Sequence, residues 1–356
     1  MRIAVLSDLH LGALNHSDVV RRPAVLEALH DVLARADRIV LLGDALELRE
    51  HSLARLLELA RPIFDRLADA TAGKRLTLVP GNHDHALADP WLGRVRVAGE
   101  ELGAENEWPV EPGGWHGAAG VIADWLADTE VTLAYPGIRL RPDVYATHGH
   151  YLDVHLTVPR LESIAASAMA RITGRGADCA SADDFEAVMA PLYGFFAGLA
   201  QGASPAALER GGRVSRSVWS RATGNGTVGA LLLGRVTIPA AVATLNRLKL
   251  GPFSPVLRGP ELRRAGLLAM AQVADTLAPD ATQVLFGHTH RAGPLTGDDE
   301  AEWTTLSGTR LWNTGNWYVE RAFVSEREPR TPYWPGTVVW LEPGEPPRLE
   351  NVLDAI

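Results

Sequence analysis

Along the chain, short apolar runs repeatedly end in clusters of polar residues. "RIAVLS" runs into "DLH", "RIVLLG" into Asp44, "LTLVPG" into "NHD", "DVYAT" into "HGH" and "TQVLFG" into "HTH". Runs of four to six apolar residues bounded by glycine or a polar turn predict buried strands. Between the first of them, residues 22–36 and 51–70 space their apolar positions as helices do, with Pro23 near the start of the former. Strand and helix in alternation predict an α/β architecture. From about residue 130 the pattern changes. "EVTLAYPGIRLRPDVYAT" reads as paired strands with Pro136-Gly137 as the turn, which predicts a second sheet there. "RLWNTGNWYV" and "GTVVWLE" near the C-terminus read as further strands of it.

Residues 151–270 read as mainly helical. Ser181 and Asp184 have the spacing of a capping box. After them Phe185, Val188, Met189, Leu192, Phe196 and Leu199 share one helix face, and Pro191 is expected to bend that helix. Residues 228–248 are apolar with few polar interruptions, and residues 325–336 have the composition of a surface loop.

Composition narrows the function. A net charge of -9 and few basic clusters disfavour a nucleic-acid ligand or an acidic membrane surface. Cys179 is the single cysteine, so an intrachain disulfide and a thiolate zinc cluster are both excluded. No leader-like start and no long uncharged apolar run is seen, and the cytoplasm is the expected location.

The polar clusters sit where open α/β sheets gather ligands, at the carboxyl ends of strands. Asp8, His10, Asp44, Asn82, His148, His288 and His290 are all oxygen or imidazole donors. That mixture suits Mn, Fe or Zn. Seven donors exceed what one ion with an open position needs, and fit two ions sharing a carboxylate. Two such ions, about 3.5–4 Å apart, clamp a displacement at phosphorus. Asp8 and Asp44 leave the pair net positive, which fits a phosphate ester. Water on such a pair has a lowered pKa, so a bridging hydroxide is the expected nucleophile.

In this order, "DLH", "GDALE", "GNHD", "HGH" and "GHTH" resemble the signature of the calcineurin-like metallophosphoesterases. The resemblance implies a four-layer αββα sandwich of two mixed β-sheets flanked by helices, with residues 1–150 and 271–356 as the core. It leaves residues 151–270 as a helical insertion or cap. It implies that Asp8, His10 and His290 hold a first metal ion and Asn82, His148 and His288 a second, with Asp44 bridging. His83 resembles the family's acid, and Glu47 the carboxylate that orients it. The implied activity is hydrolysis of a phosphomonoester or phosphodiester. "SDLHLG" and the acidic residue of "GDALE" also resemble bacterial UDP-diacylglucosamine pyrophosphohydrolases, which usually carry Arg where His83 stands. A lipid-linked or nucleotide diphosphate is therefore an alternative substrate, and a non-catalytic scaffold a second alternative. Serine/threonine protein phosphatases carry Arg directly after the carboxylate, where this chain has Leu48.

The remaining candidates divide. His85 and His150 flank ligand positions and are candidates for substrate contact, whereas His16, His30, His51, His116 and His155 read as surface or core. Trp312 and Trp317 read as core, Asn313 and Gly315 resemble a family "N-x-G" strand, and Gly113-Gly114 reads as a turn.

Overall fold

A computed structural model describes residues 1–113, 116–175, 178–202, 238–248, 250–254, 259–321, 323–324 and 331–353. The expected apolar residues Leu231, Leu232 and Leu233 lie outside them. The first half alternates strand and helix: β1 (Ile3–Leu6), α1 (Pro23–Ala34), β2 (Arg38–Leu42), α2 (Leu53–Thr71), β3 (Arg75–Val79), α3 (Asp89–Ala98), β4 (Glu107–Pro109), α4 (Gly117–Trp125) and β5 (Glu130–Ala134). Then come β6 (Gly137–Arg141), β7 (Val144–Thr147), α5 (Leu161–Thr173), α6 (Ala182–Gly202), α7 (Ile238–Arg247) and α8 (Gly259–Leu277). The chain closes with β8 (Gln283–Phe286), β9 (Arg310–Asn313), β10 (Thr337–Leu341) and β11 (Arg348–Asn351).

These strands make two mixed sheets. The larger has the order β11-β10-β1-β2-β3-β5-β4, parallel from β1 to β5 and antiparallel at both edges. The smaller has the order β6-β7-β8-β9, with only β6 antiparallel. Side chains alternate across a strand, and here the alternation sorts them into layers. Ile3, Val5, Val40, Leu42, Val144, Ala146 and Leu285 meet between the sheets. The residues between them face outward: Leu41 and Leu76 pack with Leu33, Phe64 and Leu67 of α1 and α2. On the other side Val284 and Phe286 share a buried cluster with Met270 and Val273 of α8. The four-layer αββα sandwich is the observed architecture.

Two expectations are corrected. Pro136-Gly137 is not a hairpin turn, because β5 pairs with β3 and β4 in the larger sheet while β6 opens the smaller one. Pro136 has no N–H to continue a ladder, and the chain changes sheets there. The C-terminal strands also part: β9 joins the smaller sheet, whereas β10 and β11 extend the larger one beside β1.

Between β7 and β8 the described residues are mainly helical. At the start of α6 the Asp184 N–H donates to Ser181 Oγ at 3.2 Å, and Asp184 Oδ2 accepts from the Ala180 N–H at 3.0 Å. Pro191 lies inside α6. Phe185 is buried, with its ring stacked 5.0 Å from that of Tyr151. The expected boundary at residue 270 falls inside α8. Among the described residues, no helix is long and apolar enough to cross a membrane.

Candidate metal centre

The loops after β1, β2, β3, β7 and β8 converge at one end of the sandwich, and their backbones are strained. Of the six non-glycine residues with φ in the left-handed region among the described residues, five are Asp8, His10, Asp44, His288 and His290, with φ from 44° to 65°. Such conformations are sparsely populated and cluster at functional sites. Glycines let the loops approach: a Cβ on Gly43, whose φ is +85°, would lie 2.1 Å from His148 Nδ1. One on Gly287 would lie 2.5 Å from Asp8 Oδ2.

Two groups of donors result. Asp8, His10 and His290 offer ligand atoms within 4.8 Å of one another, and so do Asp44, His148 and His288; a third set, His10, Asp44 and His83, shares one member with each. His290 Nε2 lies 3.1 Å from His10 Nε2 and 3.3 Å from Asp8 Oδ1. Asp44 Oδ2 stands between the groups, 3.7 Å from His10 Nε2 and 3.2 Å from His148 Nε2. Asn82 Oδ1 lies 3.3 Å from His148 Nε2 and 3.0 Å from His288 Nδ1.

Hydrogen bonds on the outer ring atoms decide which atoms face inward. His10 Nδ1 lies 3.0 Å from Glu47 Oε2, His148 Nδ1 3.0 Å from the Leu42 carbonyl and His288 Nε2 3.1 Å from Asp153 Oδ2. Each of those partners is an acceptor, so each outer nitrogen donates and the inner one turns its lone pair into the site. Outer partners of this kind fix the tautomer of metal-binding histidines. With these rings neutral, the inward face presents acceptors. The Asn82 oxygen confronts His148 Nε2, His288 Nδ1 and Asp44 Oδ2, although turning its amide over would let it donate to all three. Asp8 Oδ1 is buried with no hydrogen-bond donor. Acceptors facing acceptors in a buried pocket fit cations.

The acidic surroundings also hold protons on the imidazoles. Burial opposes charge on His10, yet the Glu47 hydrogen bond and the charges of Asp44, Glu47 and Asp8 raise its pKa to about 10. His148 is raised to about 9 against the same burial, chiefly by Asp44. Asp44 is held well below the carboxylate range; burial opposes this, and His148, His83 and His10 outweigh it.

His83 is the least buried of the central residues, and its Nδ1 lies 2.8 Å from both oxygens of Glu47. Burial pushes His83 below its ordinary 6.5, Glu47 opposes this and Arg49 adds to it. Glu47 therefore does more than orient His83, because the same carboxylate also accepts from His10. Asp84 is a strut rather than a ligand: it accepts from the backbone N–H of Gly81 at 2.7 Å and of Ala45 at 2.8 Å, tying the "GNHD" loop to the "GDALE" loop. Burial raises the Asp84 carboxyl to about 6.

Other candidates are placed as follows. His85 Nε2 pairs with Glu186 at 3.0 Å, and His150 Nε2 lies 3.3 Å from the Tyr135 hydroxyl. His30 meets Asp69, His51 the Gly12 carbonyl, and His116 stacks on Trp91. Trp317 is core, and Trp312 packs against the inter-sheet cluster. Asn313 braces the last motif, donating to the Gly287 carbonyl at 3.0 Å and to Thr289 Oγ1 at 2.9 Å.

Two contributors have no motif. Arg49 donates through Nε to the Asn82 carbonyl at 3.1 Å and brings NH1 to 3.5 Å from His83 Nε2. It follows the carboxylate by two residues, one later than the arginine of the protein phosphatases. Asp153 orients His288 from the segment after "HGH", and no spacing rule points to it.

The family model of the calcineurin-like phosphoesterases matches residues 1–172. The match takes in the first four of the five strand-end motifs. No curated protein matches the chain. Among solved structures, a dimetal phosphatase from Danio rerio is 13% identical, with 96% of this chain and 95% of that one covered and a TM-score of 0.34. A cold-active protein-tyrosine phosphatase from the psychrophile Shewanella sp. is 12% identical over 96% of this chain and 75% of that one, with a TM-score of 0.29. Likeness at those scores carries no functional weight.

Proposed function

We propose that this chain is a dinuclear-metal-dependent phosphoesterase that hydrolyses a phosphomonoester or phosphodiester. The observation that carries the reading is Asp44 Oδ2, set between the two donor groups at 3.7 Å from His10 Nε2 and 3.2 Å from His148 Nε2. In this reading Asp8, His10 and His290 hold one ion, Asn82, His148 and His288 the other, and Asp44 both. When bound, two such ions would supply Lewis-acid charge and lower the pKa of water towards neutrality. The donor set suits Mn, Fe or Zn.

The chain's own residues do the rest. Glu47 fixes His83 by its Nδ1, leaving Nε2 to give a proton to the departing alcohol. Burial and Arg49 hold its pKa low, so the imidazolium is the stronger acid, and the ring must take up a proton from solvent before each donation. Arg49 adds a fixed positive charge beside it, suited to a phosphoryl group. The described helices among residues 151–270 serve as a cap in this reading, joined to the centre through Asp153. The lone buried Cys179 suits a reducing cytoplasm.

Metal analysis and turnover of 4-nitrophenyl phosphate and bis(4-nitrophenyl) phosphate test this reading. Metal-dependent release of nitrophenolate from at least one ester is expected. A fully metal-loaded protein that cleaves neither ester would favour the scaffold alternative.

A further inference from the structure

Helix α6 brings to the centre a side chain that no motif contains. Tyr193 is 4% exposed. Its ring lies 4.8 Å from that of His85 and meets that of His150 edge-on at 5.4 Å. Its hydroxyl is buried and has no hydrogen-bond partner among the described residues. Its neighbours differ: the Tyr135 and Tyr151 hydroxyls both donate to Glu186 Oε2, at 2.6 and 3.1 Å. A buried hydroxyl with no acceptor is uncommon and costs roughly 1–3 kcal/mol, so it calls for an explanation.

The surroundings indicate the missing acceptor. Besides burial, the charges acting on the Tyr193 hydroxyl are those of Asp153, Glu186, Arg49 and Asp44. Asp153 orients His288, Asp44 lies between the donor groups, and Arg49 stands against His83. The His150 ring that Tyr193 meets lies in turn 5.6 Å from the ring of His148 in the second donor group. One turn further along α6, on the same face, Phe196 covers the Arg49 guanidinium at 4.8 Å. Burial and the neighbouring acids hold the hydroxyl protonated, so it is a standing donor in search of an acceptor.

We propose that Tyr193 is a substrate-contacting residue whose hydroxyl donates a hydrogen bond to a non-bridging phosphoryl oxygen of an ester held at the second donor group. The proposal rests on the phosphoesterase reading above. A phosphoryl oxygen is common to every such ester, so the contact serves all substrates alike.

Tyr193→Phe removes one oxygen and keeps the ring. In metal-loaded wild type and variant, kcat/KM for 4-nitrophenyl phosphate and the affinity for inorganic phosphate are measured, with metal content and Tm alongside. The variant should keep its metals and its Tm, lose about 10–100-fold in kcat/KM, and bind phosphate more weakly. Wild-type rates and phosphate binding in the variant would overturn the proposal. So would a loss of metal or Tm, which would make the hydroxyl structural. If the wild type cleaves no ester, the functional reading fails, and calorimetric phosphate binding still decides the role of Tyr193.

Discussion

Glu47→Gln tests the centre where one residue serves two functions. Glu47 is 3% exposed, and its oxygens accept from His10 Nδ1 at 3.0 Å and from His83 Nδ1 at 2.8 Å. Glutamine keeps the shape but offers one acceptor oxygen and one amide donor. His83 Nδ1 lies 2.8 Å from both oxygens and His10 Nδ1 reaches Oε2, so the amide nitrogen faces His83 in either orientation and His10 as well when it takes the Oε2 place. Each of these bonds involves a charged group, worth about 1.5–3 kcal/mol, and losing an outer partner of a metal ligand costs about 10–100-fold in metal affinity or activity. Glu47→Gln should therefore lose about that factor in turnover, and in metal affinity as well if the amide nitrogen takes the place beside His10. Glu47→Ala should lose both. Calorimetric titration of the metal-free variants with Mn²⁺ or Zn²⁺, and turnover at saturating metal, separate the two terms. If Glu47→Ala binds metal and turns over ester within about twofold of wild type, a margin well below those factors, the carboxylate does not organise the site.

His83→Ala should keep its metals yet slow turnover by roughly 10²–10⁴-fold, with a smaller loss for nitrophenyl esters than for alkyl esters, whose leaving group needs a proton. Equal losses on both ester types would count against a proton-donating role. Asp44→Asn should unbalance both ions, since its carboxylate serves both donor groups, and elemental analysis with two full equivalents would refute the bridge. Metal-free protein should lose stability as pH rises. An imidazole raised in the fold stabilises below its ordinary pKa of 6.5 and loses that contribution as pH passes its folded value, here about 9 for His148 and about 10 for His10. Tm of the metal-free protein should fall between pH 6.5 and 10, and bound divalent ions, which displace those protons, should remove the slope. A flat metal-free Tm over that window would contradict this charge balance.

The strand ends and their donors were legible because each motif is local: an apolar run stops, and the next residues must be polar. Which sheet a strand joins was not legible. β5 and β6 look alike in sequence, and only the ladder partners separate them, as with β9 and β10. The outer partners were hidden for the same reason. Glu47 lies 37 residues from His10, and Asp153 lies 135 from His288, so no spacing announces either pair. Tyr193 was masked by its helix, where the periodic apolar face drew attention to Phe185 and Phe196. Arg49 stands one position beyond the arginine of the protein phosphatases, so no motif marks it.

The most direct test of the account is the number and mutual distance of the ions in Mn²⁺-loaded protein. Elemental analysis together with electron paramagnetic resonance should find two ions per chain, magnetically coupled through the shared Asp44. One ion per chain, or two uncoupled ions, would contradict a centre built around Asp44.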